Sequence, residues 1–398
     1  MSRVLLVCPE PLAHRQPAGI GIRFLEMEKA LRADGHAVTF LSADGAGDAR
    51  GTITPENLAR CSGDSEVAVV QGHAANDFFA HARPLPTVVD LYDPFIIENL
   101  HYYSSRGAEV FAHDHATLMG SLLRGDFFLC SSEAQRMFYL GVLLAVGRLN
   151  PVSFETDSRL ESLIAIAPFG VPPPRQHRDA GEWNILFGAI YDWYDPILAI
   201  NAVALGRETV PAATLTFTRH PNPELTPQAK IAEAMRYVAH RGYGSFIRFE
   251  PWVEYERRGE FFDRFSLALL TFRQSLETDL SMRTRVYDFL WAGLPIVTSS
   301  APGTDELLTR YRAGLCVRSE SPSDFADAIV HCDRKSMREG TARFVHDHQW
   351  PRVLAPLLEF CRQPRVEPTK EAFAVRMQIP ERPPSILTRL KRRIGGVS

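Results

Sequence analysis

The sequence predicts an α/β protein of two Rossmann-like, doubly wound domains facing each other across a cleft. Three observations predict it. The chain has 398 residues, more than one ordinary core organises, which points to two domains of roughly 150–200 residues each. Over 3–41 an apolar run, a glycine-bearing turn, a helical stretch and a second apolar run follow in the order of a βαβ unit. Over 265–299 the order returns: apolar run, polar loop, helix, glycine stop, apolar run. The boundaries read as a first domain over 1–171, a second over 182–345, a closing helix over 346–363 and a basic, Pro-rich tail over 364–398.

Composition removes several function classes. Hydrophobic content of 45% and charged content of 23% are those of an ordinary globular protein. A net charge of −3 gives no electrostatic case for nucleic acid as a partner. Cys8, Cys61, Cys130, Cys316, Cys332 and Cys361 are scattered without CxxC spacing, so neither a zinc site nor a redox dithiol is expected. Arg3 is followed by a short strand-like run and not by a signal-peptide core. No apolar run approaches the roughly 20 residues that cross a bilayer. The expectation is a cytoplasmic protein with reduced thiols.

In the first domain, Arg3 to Cys8 reads as a buried strand and Gly19-Ile20-Gly21 as the turn before a helix over Ile22 to Arg32. Gly35 stops that helix, and Ala37 to Leu41 is the next strand. The turn lacks the third glycine of a dinucleotide fingerprint, which disfavours an NAD-dependent dehydrogenase and leaves a plain tight turn open. Val67 to Gln71 and Thr87 to Leu91 are further strands, and Asp90, Tyr92 and Asp93 stand at the end of the latter. Carboxylates at the carboxyl end of a parallel strand face the ligand crevice. Asp90 and Asp93 are therefore candidates for ligand binding or acid–base work, or for a plain Asp-Pro turn. Glu109 to Arg124 reads as a helix. His113 and His115, two apart, cannot share one face and argue against a metal, while one of them could face the cleft. Asp126 to Cys130 is a strand followed by Ser131 and Ser132, an N-cap for the next helix. Ile164 to Ala167 ends the domain, and 172–181 is a linker.

In the second domain, Trp183 to Phe187 is a strand followed by Tyr191, Trp193 and Tyr194, which either stack on a ligand or pack at the domain interface. Thr214 to Thr218 ends in Arg219 and His220; Phe246 to Phe249 is followed by Trp252 and Val253. Phe265 to Phe272 leads into a polar loop with Glu277, Asp279 and Ser281. Met282 to Trp291 is rich in helix formers, with Ser281 as N-cap and Gly293 as the left-handed stop. A helix start attracts anions. Arg283 and Arg285 in its first turn oppose the helix dipole, so an anion is expected beside them; two solvated arginines are the plainer alternative. Thr304 caps a further helix, Gly314 to Val317 is a short strand, and Ser321 to Ile329 is amphipathic. His348 to Arg362 carries a helical stripe of Trp350, Val353, Leu354 and Leu357. Residues 370–398 carry a net charge of +5, with Ile386, Leu387, Leu390 and Ile394 at helical spacing, which suits an anionic membrane surface through 384–398. A disordered or protein-packed tail is the alternative.

Asp288-Phe289-Leu290-Trp291-Ala292-Gly293-Leu294-Pro295-Ile296-Val297 resembles the nucleotide-sugar segment of GT-B glycosyltransferases, nearest to glycosyltransferase family 4. That family places a Glu where Asp288 stands and a second Glu ahead of it; Glu277 and Asp279 precede Asp288 at other spacings. Pro168-Phe169-Gly170-Val171 is similar to the family's domain junction, and Trp350 to the start of its closing helix. The Gly-Arg and Lys that clamp the diphosphate in the family are absent after Gly188, so other cations must replace them. The resemblance implies transfer of a sugar from a nucleotide donor to a glycan or lipid-linked acceptor, with retention, in surface polysaccharide or glycolipid assembly. Catalysis is expected at Asp93, Glu277 and Asp279. Donor binding is expected at Gly19, Gly21, Arg219, Val253, Arg273, Ser281, Arg283, Arg285 and Asp288. Acceptor binding falls to Asp90 and His115. No metal or other cofactor is expected, and the protein could sit peripherally on the inner membrane face. A nucleotide-sugar epimerase of the same fold, or a non-catalytic nucleotide-sugar binder, remains open.

Overall fold

The computed structural model describes residues 1–12, 17–45, 51–103, 107–176, 183–219 and 229–370. Seven parallel strands make the first sheet: β1 (Arg3–Cys8), β2 (Ala37–Ser42), β3 (Gly51–Thr52), β4 (Val67–Gln71), β5 (Thr87–Asp90), β6 (Phe127–Cys130) and β7 (Ile164–Ile166). Their order is β3-β2-β1-β4-β5-β6-β7. Six parallel strands make the second: β8 (Asn184–Ala189), β9 (Thr214–Arg219), β10 (Ile247–Pro251), β11 (Leu267–Leu270), β12 (Ile296–Ser299) and β13 (Gly314–Val317). Their order is β10-β9-β8-β11-β12-β13. Both orders reverse direction beside the first strand of the domain, between β1 and β4 and between β8 and β11. Such a reversal opens a crevice at the carboxyl ends of the strands.

Runs such as Val67-Ala68-Val69-Val70 are buried throughout, as strands covered by helices on both faces must be. The core is continuous through the junction: Tyr92 packs on Phe169 at 5.8 Å between ring centres, and Phe169 on Tyr287 at 6.2 Å.

Seven helices matter for the site. They are α1 (Gly19–Ala33), α2 (Phe95–Glu98), α3 (Ala108–Arg124), α4 (Leu276–Leu280), α5 (Thr284–Trp291), α6 (Trp350–Val353) and α7 (Ala355–Arg362). Several boundaries correct the sequence reading. Gly19 and Gly21 lie inside the first turn of α1 and not in a loop ahead of it. The polar loop before α5 contains α4, capped by the Ser275 side chain on the Thr278 amide. Ser281 ends α4; the residue at the start of α5 is Arg283, in extended backbone. Thr304 lies within its helix, which begins at Pro302, where Asp305 accepts from the Ala301 amide at 3.0 Å. Ser132, by contrast, caps its helix on the Gln135 amide as the sequence predicts. The single closing helix is two, α6 and α7.

After the second sheet the chain returns to the first domain. The Val171 amide donates to the His348 carbonyl at 2.8 Å. Gly170 is needed there, because a Cβ would run into the Trp350 indole. Ser2 Oγ donates to the Cys361 carbonyl at 2.7 Å, and Phe360 stacks on Phe127 at 4.9 Å. Residues up to Lys370 continue along the same domain, with Arg148 paired to Glu367 at 3.1 Å and Lys370 to Asp126 at 2.7 Å.

Candidate active site

The starts of α1 and α5 meet across the crevice. A Cβ added to Gly19 would sit 3.3 Å from the Thr284 methyl, so the glycine allows the close approach of the two helix ends. A pocket opens between them. Arg285 reaches into it from α5, with its guanidinium 5.8 Å from the centre of the Trp252 ring. Among the described residues no carboxylate pairs with Arg285. Gly188, at φ +85°, is the second-last residue of β8 and lies directly beside this side chain; any Cβ there would both strain the backbone and collide with the guanidinium. An unpaired cation at a helix start is the arrangement a diphosphate fits.

The far side of the pocket is built by Asp288 on α5, Arg258 and the β10 end. Arg258 Nε donates to Asp288 Oδ1 at 3.2 Å and Nη1 to the Tyr255 carbonyl at 2.7 Å. Its guanidinium lies on the Tyr255 ring at 3.5 Å and on the Trp291 ring at 4.5 Å. Its Nη2 is buried with no hydrogen-bond partner among the described residues. Val253 lines the same pocket. Asp288 keeps some exposure, so its second oxygen is available to a hydroxyl pair.

A second chamber adjoins the first, reaching from Gly19 and Arg285 towards Asp93, Glu98 and Trp193. Glu98 ends α2 and was not singled out from the sequence; the signal was an acid one helical turn past Asp93-Pro94, with Ile96 and Ile97 facing inward. Ser281 Oγ donates to Glu98 Oε1 at 3.0 Å, bridging the two domains. Tyr92 does likewise, its hydroxyl donating to the Met282 carbonyl at 3.2 Å. Both carboxyls are only half-buried, yet protein surrounds them on most sides. Burial, then the charge of Glu98 and a hydrogen bond with it, push Asp93 well above the usual carboxylate range. Burial and then the charge of Glu277 raise Glu98 as well, against the lowering pull of Arg283. The α2 segment is fixed from behind by buried Asp114 on α3, which accepts from Asn99 at 2.8 Å, Tyr103 at 2.7 Å and His73 at 2.7 Å.

Several expected site residues are employed otherwise. Arg283 is buried, and both of its Nη groups donate to Glu277, itself 2% exposed, with the Nη2–Oε2 distance 2.6 Å. Trp193, Tyr194 and Phe272 surround the guanidinium at 5.4 to 5.8 Å. Neither Arg283 nor Glu277 therefore stands ready as a free charge for the diphosphate or the sugar. Asp90 is sealed against Arg23, Nε to Oδ2 2.7 Å, with both side chains inaccessible. Gly21 gives its amide to Glu10 Oε2 at 2.6 Å, and Glu10 also takes the Ala18 amide, so the α1 start is already capped by a carboxylate. Asp279 is exposed on the outer side of α4. Arg273, 74% exposed, leans on Asp195 at 3.5 Å, beyond the Trp193–Tyr194 wall. Arg219 is exposed at the tip of β9, outside the pocket that Thr218 lines. His115 is exposed on α3 beside Phe111, away from the chamber. Tyr191 and Trp193 stack on each other at 4.9 Å as part of that wall. His220 lies outside the described residues. What the structure gathers at the crevice is Gly19, Asp93, Val253, Ser281, Arg285 and Asp288. Among the described residues no group of three or more His, Cys, Asp or Glu side chains is placed to hold a metal ion.

Comparison with known proteins bears on this architecture. Residues 188–333 match the family model described as Glycosyl transferases group 1. The structure is similar to sucrose-phosphate synthase from Thermosynechococcus elongatus, with a TM-score of 0.64, 11% identity, and 91% of this chain and 99% of that one covered. It is similar to Anabaena HepE in complex with UDP and glucose, with a TM-score of 0.65, 12% identity, and 91% and 100% covered. The fold is GT-B. The pneumococcal O-GlcNAc transferase GtfA, in complex with UDP and GlcNAc, gives a TM-score of 0.52 at 12% identity, over 75% of this chain and 56% of that one. This chain thus spans under three fifths of the length of GtfA and also of TarM. No curated protein sequence matches the chain. In GT-B terms, the Arg285 pocket belongs to the second domain and the Asp93–Glu98 chamber to the face opposite it.

Proposed function

We propose that the protein transfers a sugar from a nucleotide-sugar donor to a glycan or lipid-linked acceptor, without a metal. The observation that carries the reading is Arg285, without a carboxylate partner among the described residues, at the start of α5 in the crevice between two doubly wound domains. The nucleoside would lie against Val253, Arg258 and Asp288, and the diphosphate at Arg285. As the bond from the sugar to the diphosphate breaks, negative charge grows on the leaving oxygen beside a fixed cation and a helix dipole. The new bond forms to an acceptor hydroxyl in the adjoining chamber, held close enough for reaction by the opposed helix starts. The hydroxyl proton departs with the diphosphate or onto a chamber carboxyl. Retention, a role in surface polysaccharide or glycolipid assembly, and a hexosyl or deoxyhexosyl donor are proposed on the family resemblance.

Attachment to an anionic membrane surface through 384–398 is proposed on the charge pattern of the sequence alone, since 371–398 lie outside the described residues. No helix among the described residues is long and apolar enough to cross a membrane.

A thermal-shift screen of the protein against UDP, GDP, ADP and their sugar conjugates tests the central reading. One nucleotide series should raise the melting temperature, and Arg285→Ala should weaken that nucleotide about tenfold or more, as loss of a charge-assisted phosphate contact does. No shift with any nucleotide would end the reading. Consumption of the donor with no acceptor added would replace transfer by epimerisation.

A further inference from the structure

One helix of the first domain turns an apolar face outward. In Glu133–Ala145 the buried side carries Gln135, Tyr139 and Leu143. On the other side Met137 is 60% exposed and Leu144 59% exposed, with half-buried Leu140 and exposed Gly141 between them. These positions fall at i, i+3, i+4 and i+7, the spacing of a face that packs on a partner. No charged residue interrupts 137–147. The short helix Pro151–Thr156 follows and adds Val152 and Phe154, 43% and 53% exposed. Large apolar side chains exposed together in this way mark an interaction surface.

Three observations select what covers it. Residues 367–370 lie beside it: Asn150, the cap of the short helix, donates from Nδ2 to Thr369 Oγ1 at 3.1 Å, and Lys370 Nζ donates to the Arg124 carbonyl at 3.3 Å. The sequence beyond carries Ile386, Leu387, Leu390 and Ile394 at helical spacing, with Ser385 ahead as a cap and Gly395 behind as a stop. A helix over 386–394 is about 13 Å long, enough to cover Met137 to Leu144. The intervening 371–385 reach up to about 50 Å when extended. The charges beside the stripe, Glu133, Glu155, Asp157 and Glu161 with Arg136 and Arg159, sum to −2, whereas 370–398 carry +5. That sign repels an anionic bilayer and attracts the tail.

We propose that 386–394 dock as a helix on Met137, Leu140, Leu144, Val152 and Phe154, and that an anionic bilayer draws the segment off this face. Both states use Ile386, Leu387, Leu390 and Ile394, so each excludes the other, and lipid shifts the population from docked to bilayer-bound. The release step rests on the proposed membrane attachment through 384–398; the docking does not, and neither depends on the nucleotide-sugar reading.

The test is hydrogen peroxide footprinting of the full chain, read by mass spectrometry of the methionine peptides, since oxidation follows the exposure of the sulfur. Without lipid, Met137 should be oxidised more slowly than Met235, which is 41% exposed on the helix Ala229–Arg241 of the second domain. Leu387→Ser/Leu390→Ser should speed oxidation of Met137 about tenfold, as loss of two buried leucine contacts does, and leave Met235 unchanged. Leu144→Glu, at an exposed position, should do the same with the tail intact. Phosphatidylserine vesicles added to the unaltered protein should also release Met137. Faster oxidation of Met137 than of Met235 in the unaltered protein would overturn the docking. So would protection that survives both variants, or protection that grows with protein concentration, as pairing of two copies gives. Protection of Met137 only with vesicles would overturn it too, by showing that the stripe itself enters the bilayer. Failure of the unaltered protein to sediment with the vesicles, with Met137 protected in solution and exposed in both variants, would sink the membrane attachment and leave the docking standing.

Discussion

Arg283 and Arg285 stand two residues apart and have opposite fates. The first turns into the protein and closes on Glu277; the second stays in the crevice beside Gly188. Burial lowers a guanidinium's affinity for its proton, but the hydrogen bond and charge of Glu277 more than reverse this for Arg283. Removing one member of such a pair leaves the other charge buried and uncompensated, at a cost of about 3–5 kcal/mol. Arg283→Met should therefore lower the urea midpoint of the full chain strongly, and Arg283→Met/Glu277→Leu should recover most of the loss. A stable Arg283→Met protein that had lost nucleotide affinity would show the guanidinium serving a ligand instead. The sequence could not separate the two arginines. Both sit where a helix start attracts anions, and only the position of Glu277, six residues upstream on α4, decides which is consumed. Asp90 and Asp93 were alike for the same reason. Their difference is set by Arg23, far away in the chain, which takes the first and leaves the second to Glu98.

At the scale of elements, the strands and the Ser132 helix start were legible, and the starts of α1 and α5 were not. Continuous apolar runs bounded by Gly, Pro and polar residues locate β1, β4, β6 and β12 to within about two residues, because burial on both faces imposes one composition. Gly293 as a left-handed stop, at φ +78°, follows from local chemistry alone. The starts of α1 and α5 were misread because their amides are met by distant groups or by none: Glu10 caps α1 from earlier in the chain, and the Arg283 side chain does not cap α5. An uncapped start is also what a ligand anion would complete, so the missing local signal and the proposed function have one cause. The tail is the element whose role depends most on pattern. Residues up to Lys370 are tied to the first domain through Glu367 and Asp126, so a chain ending at Lys370 keeps those contacts. Each Lys or Arg near an anionic surface contributes about 1 kcal/mol. Deleting 371–398 should therefore abolish sedimentation with phosphatidylserine vesicles at low salt and leave nucleotide binding intact. Undiminished sedimentation would refute membrane attachment through 384–398.

For the whole molecule the decisive place is the junction where the chain leaves the second domain for the first. His348 lies there, its ring stacked on Phe344 at 4.2 Å and flanked by Tyr311 at 5.5 Å and Tyr287 at 5.9 Å. Its carbonyl accepts the Val171 amide, so the residue joins both domains. Burial pushes the imidazole down from its ordinary 6.5 to about 4, against smaller opposing effects of the Phe344 carbonyl and Asp347. The folded protein thus holds the ring neutral, while the unfolded chain protonates it below 6.5. Stability from this residue is whole above pH 6.5 and is lost as pH falls towards 4. Carboxylates titrate in the lower part of the same window, so the informative quantity is a difference between proteins. His348→Phe keeps the aromatic stack and removes the titration. Its melting temperature should fall less steeply from pH 6.5 to 4 than that of the unaltered protein, and the two curves should run parallel above pH 7. Parallel curves throughout would mean that the junction tolerates a charged imidazole.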